Sequence, residues 1–247
     1  MSVTSFDSFK NNLTQIFSKN DGLPTPTESQ AEALFQLTNI MLEVNKSMNL
    51  TAITEETAVI LKHYADSLTV AKYIPHGVKV LDVGCGAGFP TLPLAVFRPD
   101  LSILALDGTA KRIEYVKSTA RTLGLSGVEA VAARAEELGV KEGFRESFDV
   151  VTARAVASLP VLAELCLPFV KVGGSFVAMK AQQADEELSL AKNAITLCGG
   201  KIKESVSVDL TADGDAFERR NLIIVEKIAK TPPKYPRHYS KISKKPL

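Results

Sequence analysis

From Val78 onward, short apolar runs alternate with amphipathic stretches, a pattern that predicts strands over 78–83, 102–107, 128–133, 148–153 and 174–179. A helix is expected after each, and only the segment after the third stays open between helix and loop. This is the rhythm of a parallel sheet covered on both faces. Two further strands, near 201–208 and 221–227, follow with no helix between them. Before Val78 the period changes. Phe6, Phe9, Leu13, Ile16 and Phe17 recur at spacings of three and four, as do Ala33, Leu34, Leu37, Met41 and Leu42. Pro24 and Pro26 break the chain between these two helices, Thr27 and Glu28 begin the second, and a third helix is expected over 55–72. Pro75-His76-Gly77 marks a boundary. The predicted organisation is a helical extension over 1–75, a main domain over 76–228 and a tail over 229–247.

The first strand runs into Asp82-Val83-Gly84-Cys85-Gly86-Ala87-Gly88-Phe89-Pro90, a glycine turn leading to a helix. Nucleotide-like cofactors sit at such turns in α/β proteins. A dinucleotide fingerprint reads G-x-G-x-x-G, and here Phe89 falls where its third glycine belongs, so the match to a nicotinamide-dependent oxidoreductase is poor. The run resembles instead the S-adenosylmethionine loop of class I methyltransferases. That cofactor has no pyrophosphate to seat on a helix N-terminus, and its methionine chain lies against bare backbone at Gly84 and Gly86. The Asp82 carboxylate suits its ammonium group. The expected fold is therefore α/β, of the class I S-adenosylmethionine-dependent methyltransferase type. That is a Rossmann-like, seven-stranded, mostly parallel sheet with the last strand antiparallel, plus the N-terminal helical extension.

Further strand ends supply matching groups. Asp107 closes the second strand about 20 residues past the loop, where a carboxylate accepts ribose hydroxyls. The same aspartate, or Thr109, also suits the cap of the next helix. The Gly108-Thr109 backbone would lie beside the adenosine. Arg134-Ala135-Glu136 follows the third strand, where backbone groups can read an adenine edge, although Glu136 also suits a helix start. Arg154 ends the fourth strand at the mouth of the same crevice, with a surface ion pair as the alternative.

Composition narrows the class. The chain has 247 residues, 45% of them hydrophobic, enough for one α/β core and an appendage. The longest apolar stretch, 155–170, is interrupted by Pro160, Glu164 and Pro168, so no membrane segment is expected and a cytoplasmic location is. Three cysteines and three histidines lack ligand spacing, and no metal is expected. The net charge of +1 hides an asymmetry: residues 227–247 carry seven lysines and arginines and no acid. A basic run is commonly a solvated face, but here Tyr235 and Tyr239 interleave with Arg237 and the lysines, which suits nucleic acid.

Together these residues resemble one family, the bacterial small-subunit ribosomal RNA guanine-N7 methyltransferases of the RsmG type, also called glucose-inhibited division protein B. The resemblance runs through Met48-Asn49-Leu50-Thr51-Ala52-Ile53, Lys62-His63-Tyr64-Ala65-Asp66-Ser67-Leu68, the 82–90 loop, Arg134-Ala135-Glu136, Thr152-Ala153-Arg154-Ala155-Val156-Ala157, Arg220-Asn221-Leu222 and Lys234-Tyr235-Pro236-Arg237. It implies S-adenosylmethionine as cofactor, with S-adenosylhomocysteine as product, and cofactor contacts at Gly84, Phe89, Asp107, Ala135, Glu136 and Arg154. It also implies methyl transfer to guanine N7. The sequence agrees by omission, because no cysteine follows the fourth strand as a base-carbon nucleophile and no Asn/Asp-Pro-Pro-aromatic element stands there. Guanine N7 carries a lone pair and no proton, so no general base is required and no catalytic residue is assigned. Duplex A-form RNA hides N7 in its deep groove, so the target is expected in a loop or drawn out of its stack. Substrate-side candidates are Lys62, His63, Lys180, Tyr235 and Arg237, with His63 equally read as a packed core side chain. The expected partner is small-subunit ribosomal RNA or the 30S particle, met by a monomer, with no DNA and no membrane.

Overall fold

The computed structural model describes residues 5–181 and 184–247. Two helices open the chain, α1 (Phe6–Ser18) and α2 (Glu28–Met48). Thr27 caps α2 through a reciprocal pair of bonds with Gln30. The third predicted helix is composite: α3 (Glu56–Val59), a wider π-helical turn over Ile60–Ala65 and α4 (Asp66–Leu68). Such widened turns commonly mark functional positions.

The alternating part follows as β1 (Lys79–Val83), α5 (Thr91–Phe97), β2 (Ser102–Asp107), α6 (Ala110–Thr122), β3 (Val128–Ala132), a single-turn α7 (Ala135–Leu138), β4 (Phe148–Arg154), α8 (Leu159–Cys166), β5 (Val170–Lys180) and α9 (Ala184–Leu197). The hairpin β6 (Gly200–Leu210) and β7 (Glu218–Lys227), then α10 (Tyr239–Lys244), complete the chain. The strands form one sheet in the order β3-β2-β1-β4-β5-β7-β6. The first five are mutually parallel, and β7 enters between β5 and β6, antiparallel to both. The order reverses beside β1, between β2 and β4, and this is where α/β sheets bind ligands at their carboxyl ends.

Successive strand residues point to opposite faces, so the buried side chains sort into two cores. Val80, Ile103, Val150, Val177 and Ile224 face one core, shared with Phe9, Leu13, Leu34, Met41 and Tyr64 of the N-terminal helices. Leu81, Leu106, Val151, Phe176 and Ile223 face the other, with α8, α9 and the C-terminal Tyr235 and Ile242. The N-terminal helices thus cover one face of the sheet. Tyr64 ties the π turn to α2 through Thr38 Oγ1 at 2.6 Å.

The C-terminal segment departs from the expectation of a basic tail open to nucleic acid. Arg145 donates to the carbonyls of Thr231, Pro232 and Tyr235, and Arg237 donates to the fully buried Glu164 carboxylate at 2.6 Å. Lys227 is also fully buried, donating to the carbonyls of Leu167 and Val170. Part of the basic run is therefore internal. The lysines at 230, 234, 241, 244 and 245 stay exposed.

Candidate functional site

The β1 turn is built from beneath by Asp82. Its carboxylate accepts from the Thr91 hydroxyl at 2.7 Å and faces Thr152 Oγ1 at 3.4 Å, with 1% of the residue exposed. This corrects the reading of Asp82 as a partner for an ammonium group: it is sealed under the loop and anchors β1 to α5 and β4. Burial raises its pKa to about 6 against the opposing pull of Thr91, Arg154 and Thr152. Gly84 and Gly86 adopt positive φ, and Gly84 lies bare against Val156, whose Cγ2 an added Cβ would strike.

Asp107 reaches this turn from the next strand. One carboxylate oxygen accepts the Gly86 amide at 3.1 Å and the other the Thr109 amide at 2.8 Å. The aspartate therefore ties the glycine loop to the start of α6, while Thr109 itself makes no side-chain cap bond. A crevice of about 110 Å³ opens here, lined by Gly84, Asp107, Gly108, Ala135, Glu136 and Val156 among others. Val156 fills part of it. Tyr239 of α10 also lines it, with its ring centroid 4.9 Å from the Arg134 guanidinium carbon. Sequence reading noted Tyr239 only as a ring in a basic tail, because nothing local shows that α10 folds back to the sheet.

Phe89 and Arg154 do not line this crevice. The Phe89 ring stacks on His63 with centroids 4.3 Å apart, under the Arg154 guanidinium at 5.4 Å. Arg154 in turn donates to Asp66 and to the Lys62 carbonyl, both at 2.9 Å. The β4 end is thereby clamped to the π turn. His63 is 6% exposed, with Nδ1 3.4 Å from Arg154 Nη2 and Nε2 3.0 Å from Thr51 Oγ1. Since the guanidinium can only donate, Nδ1 accepts and Nε2 carries the proton. Desolvation, reinforced by the Arg154 charge, lowers the His63 pKa to about 3.

Beside this clamp lies a second cavity of about 450 Å³, reached by Lys62, His63, Asp66, Arg154, Lys180, Glu187 and Arg220. Lys62 pairs with Glu218 at 2.7 Å, Lys180 with Glu187 at 2.8 Å, and Arg220 with Asp66 at 3.4 Å. Sequence reading passed over Asp66, Glu187 and Arg220; Asp66 and Arg220 stood inside segments quoted for their resemblance, but their meeting across the fold has no local signal. The substrate-side candidates Tyr235 and Arg237 are corrected. Tyr235 is 5% exposed and Arg237 neutralises Glu164, so neither presents a ring or a free charge to RNA. Among the described residues, no group of three or more histidine, cysteine or acidic side chains could hold a metal ion, and no helix is long and apolar enough to cross a membrane.

The profile of the family described as GidB, rRNA small subunit methyltransferase G, matches residues 30–215. The chain belongs to this family. Among its relatives, the ribosomal RNA small subunit methyltransferase G of Alkaliphilus metalliredigens is 46% identical over 222 residues, which cover 89% of this chain and 92% of that protein. The protein of the same name from Staphylococcus carnosus is 45% identical over 226 residues, covering 90% and 93%. Solved structures share the fold at lower identity. M. jannaschii TYW2 in complex with AdoMet has a TM-score of 0.52 at 16% identity, over 66% of this chain and 77% of its own. A SAM-dependent methyltransferase from Methanosarcina mazei has a TM-score of 0.51 at 18% identity, over 66% and 98%. The matched GidB span contains every residue named above as lining the crevice or the second cavity except Arg220 and Tyr239.

Proposed function

We propose that this member of the GidB family transfers a methyl group from S-adenosylmethionine to N7 of a guanosine in small-subunit ribosomal RNA. The observation that carries the reading is the adjacency of the two cavities. Arg154 and Ala155 line the polar one, and the next residue, Val156, lies against Gly84 in the other.

The crevice suits the cofactor chemically. Asp107, held by two amides, keeps acceptor capacity for a ribose diol, and Gly84 offers backbone with no Cβ in the way. Leu106, Ala133, Ala135 and Leu165 give an apolar wall for a purine, with Glu136 at its edge. The cofactor, when bound, supplies a sulfonium methyl to the adjoining space. What the chain contributes is position. Asp82 fixes the loop from below, and the Arg154–Asp66–Arg220 chain of ion pairs fixes the wall through which the base approaches. Because N7 brings its own lone pair, holding nucleophile and methyl carbon in line is sufficient and no proton need move. His63, neutral and wedged between Phe89 and Arg154, acts as a packing and hydrogen-bonding element of that wall rather than as a base.

Lys62, Arg154 and Arg220 line the cavity as cations, as suits a nucleotide phosphate. Ribosomal RNA, free or within the 30S particle, is the partner this reading names, and the chain acts as a monomer. Calorimetric titration tests the cofactor half. S-adenosylhomocysteine should bind and NAD should not, and Asp107→Ala should weaken the affinity by about 10- to 100-fold, the range for hydrogen bonds to a charged group. Tight NAD binding, or an unchanged affinity in Asp107→Ala, would overturn it.

A further inference from the structure

The structure assigns Glu187, oriented by Lys180, as the side chain that distinguishes guanine from other bases in the second cavity. This rests on the methyl-transfer reading above and extends it to the basis of base selection.

Two carboxylates line that cavity, and their surroundings differ. Both oxygens of Asp66 are engaged, Oδ2 by Arg154 at 2.9 Å and Oδ1 by Arg220 at 3.4 Å. Glu187 uses only Oε2, which accepts the Leu159 amide at 2.7 Å and pairs with Lys180 Nζ at 2.8 Å. Its Oε1 has no partner among the described residues, although the side chain is only 25% exposed. Lys180 Nζ donates to the Ala157 carbonyl at 2.9 Å and forms the ion pair with Oε2, which leaves donor capacity on its ammonium. A fixed acceptor and a fixed donor therefore stand side by side in the wall.

That pair matches the edge of guanine remote from N7. Guanine presents O6, an acceptor, next to N1–H and the N2 amino group, both donors. Lys180 can donate to O6 while Glu187 Oε1 accepts from N1–H and N2–H. Adenine presents the reverse, an amino group toward the ammonium and a bare N1 toward the carboxylate, so each of its contacts would oppose like with like. Leaving buried polar groups unpaired in this way is the strongest form of rejection available to a binding site.

The placement fits a base whose N7 faces the methyl position. The glycine loop follows β1, β4 lies next to β1, and Lys180 ends β5, the strand beyond. Two strand spacings, roughly 10 Å in all, lie between the loop and the reader, enough for one purine ring. The aliphatic Met179 and Ala155 and the Ile53 side chain offer apolar contact for its faces. Lys180 was expected to meet a phosphate; its close pairing with Glu187 compensates its charge and favours this role instead.

The test compares small subunits reconstituted from undermethylated RNA with either guanosine or inosine at the target position, since inosine lacks only the N2 amino group. With the wild-type chain, kcat/KM for labelled methyl transfer should fall about tenfold or more on inosine, the loss expected of a hydrogen bond to a charged group. In Glu187→Ala and in the nearly isosteric Glu187→Gln, the guanosine rate should fall and the guanosine-to-inosine ratio should shrink to within about twofold of one, as a double-mutant cycle requires of interacting partners. A merely structural loss would lower both rates and keep the ratio. Lys180→Ala should slow both substrates and narrow the ratio less than the Glu187 variants do, because both substrates carry O6 and the Leu159 amide still holds Oε2. Affinity for S-adenosylhomocysteine, measured alongside, should stay at the wild-type value. An unchanged ratio in both Glu187 variants would overturn the assignment while leaving methyl transfer standing. If the wild-type chain methylates neither particle, the functional reading itself fails, and this assignment with it.

Discussion

Asp82 links protonation to stability in this chain. Its native pKa, about 6, lies above its ordinary 3.8 because burial opposes the charge more than Thr91, Arg154 and Thr152 favour it. Between those values the folded state holds the extra proton, so the cost of the buried carboxylate is fully present above pH 6 and is relieved as pH falls toward 4. Asp82→Asn should therefore raise the unfolding free energy at pH 8 by about 1–3 kcal/mol, with the gain vanishing near pH 4, as read from urea melts across that range. A gain that grew on acidification would have the wrong sign. His63 titrates far from neutrality for a related reason: burial and the Arg154 charge both oppose the imidazolium, and its pKa of about 3 keeps the ring neutral. Nitrogen NMR of the imidazole should show constant shifts from pH 5 to 8, with Nε2 protonated. A transition near pH 6.5 would mean that the His63–Arg154 packing is absent in solution. For His63 the sequence offered burial as one of two readings, and the structure takes that one; for Asp82 it showed identity and neighbourhood but not burial. Asp82 was legible as part of a loop motif, while its placement under the loop depends on Thr91 and Thr152, which lie 9 and 70 positions away.

Among the elements, the C-terminal segment shows most plainly where sequence reading reaches its limit. The strands were legible because each apolar run is local, and β2 begins and ends at the expected residues. The pairing of β6 with β7 was legible too, since two strands without an intervening helix pair as a hairpin, while the antiparallel last strand came from the resemblance to class I methyltransferases. The tail was not, because its partners lie elsewhere. Glu164, which in the sequence only interrupts an apolar stretch, is the buried counter-charge to Arg237, and Arg145 binds three tail carbonyls. Removing one member of a buried pair leaves the other uncompensated, at a cost of about 3–5 kcal/mol. The Arg237 side chain is 23% exposed, so solvent offsets part of that figure and Arg237→Ala should lose about 2–3 kcal/mol in denaturant titration. A loss below about 0.5 kcal/mol would return this segment to the status of a solvated tail. The composite third helix has the same character. Its apolar spacing predicted a helix, but the π turn that brings the Lys62 carbonyl to Arg154 depends on contacts across the fold.

At the scale of the whole molecule, three sources converge on one point of the sheet. The strand ends of β1, β2 and β4 bring the glycine loop, Asp107 and Arg154 to the topological switch, the N-terminal helices bring Lys62, His63 and Asp66, and the β6–β7 hairpin brings Arg220. The helical extension and the hairpin therefore build the wall of the polar cavity beside the crevice. Membership of the GidB family and this arrangement lead to the same reaction, methyl transfer to guanine N7 of small-subunit ribosomal RNA. The direct measurement is to incubate the protein with radiolabelled S-adenosylmethionine and undermethylated small ribosomal subunits, digest the RNA to nucleosides, and map the label. The account predicts label in 7-methylguanosine at a single position of the small-subunit RNA. Label confined to DNA or protein, or to another atom or base of the RNA, would contradict it.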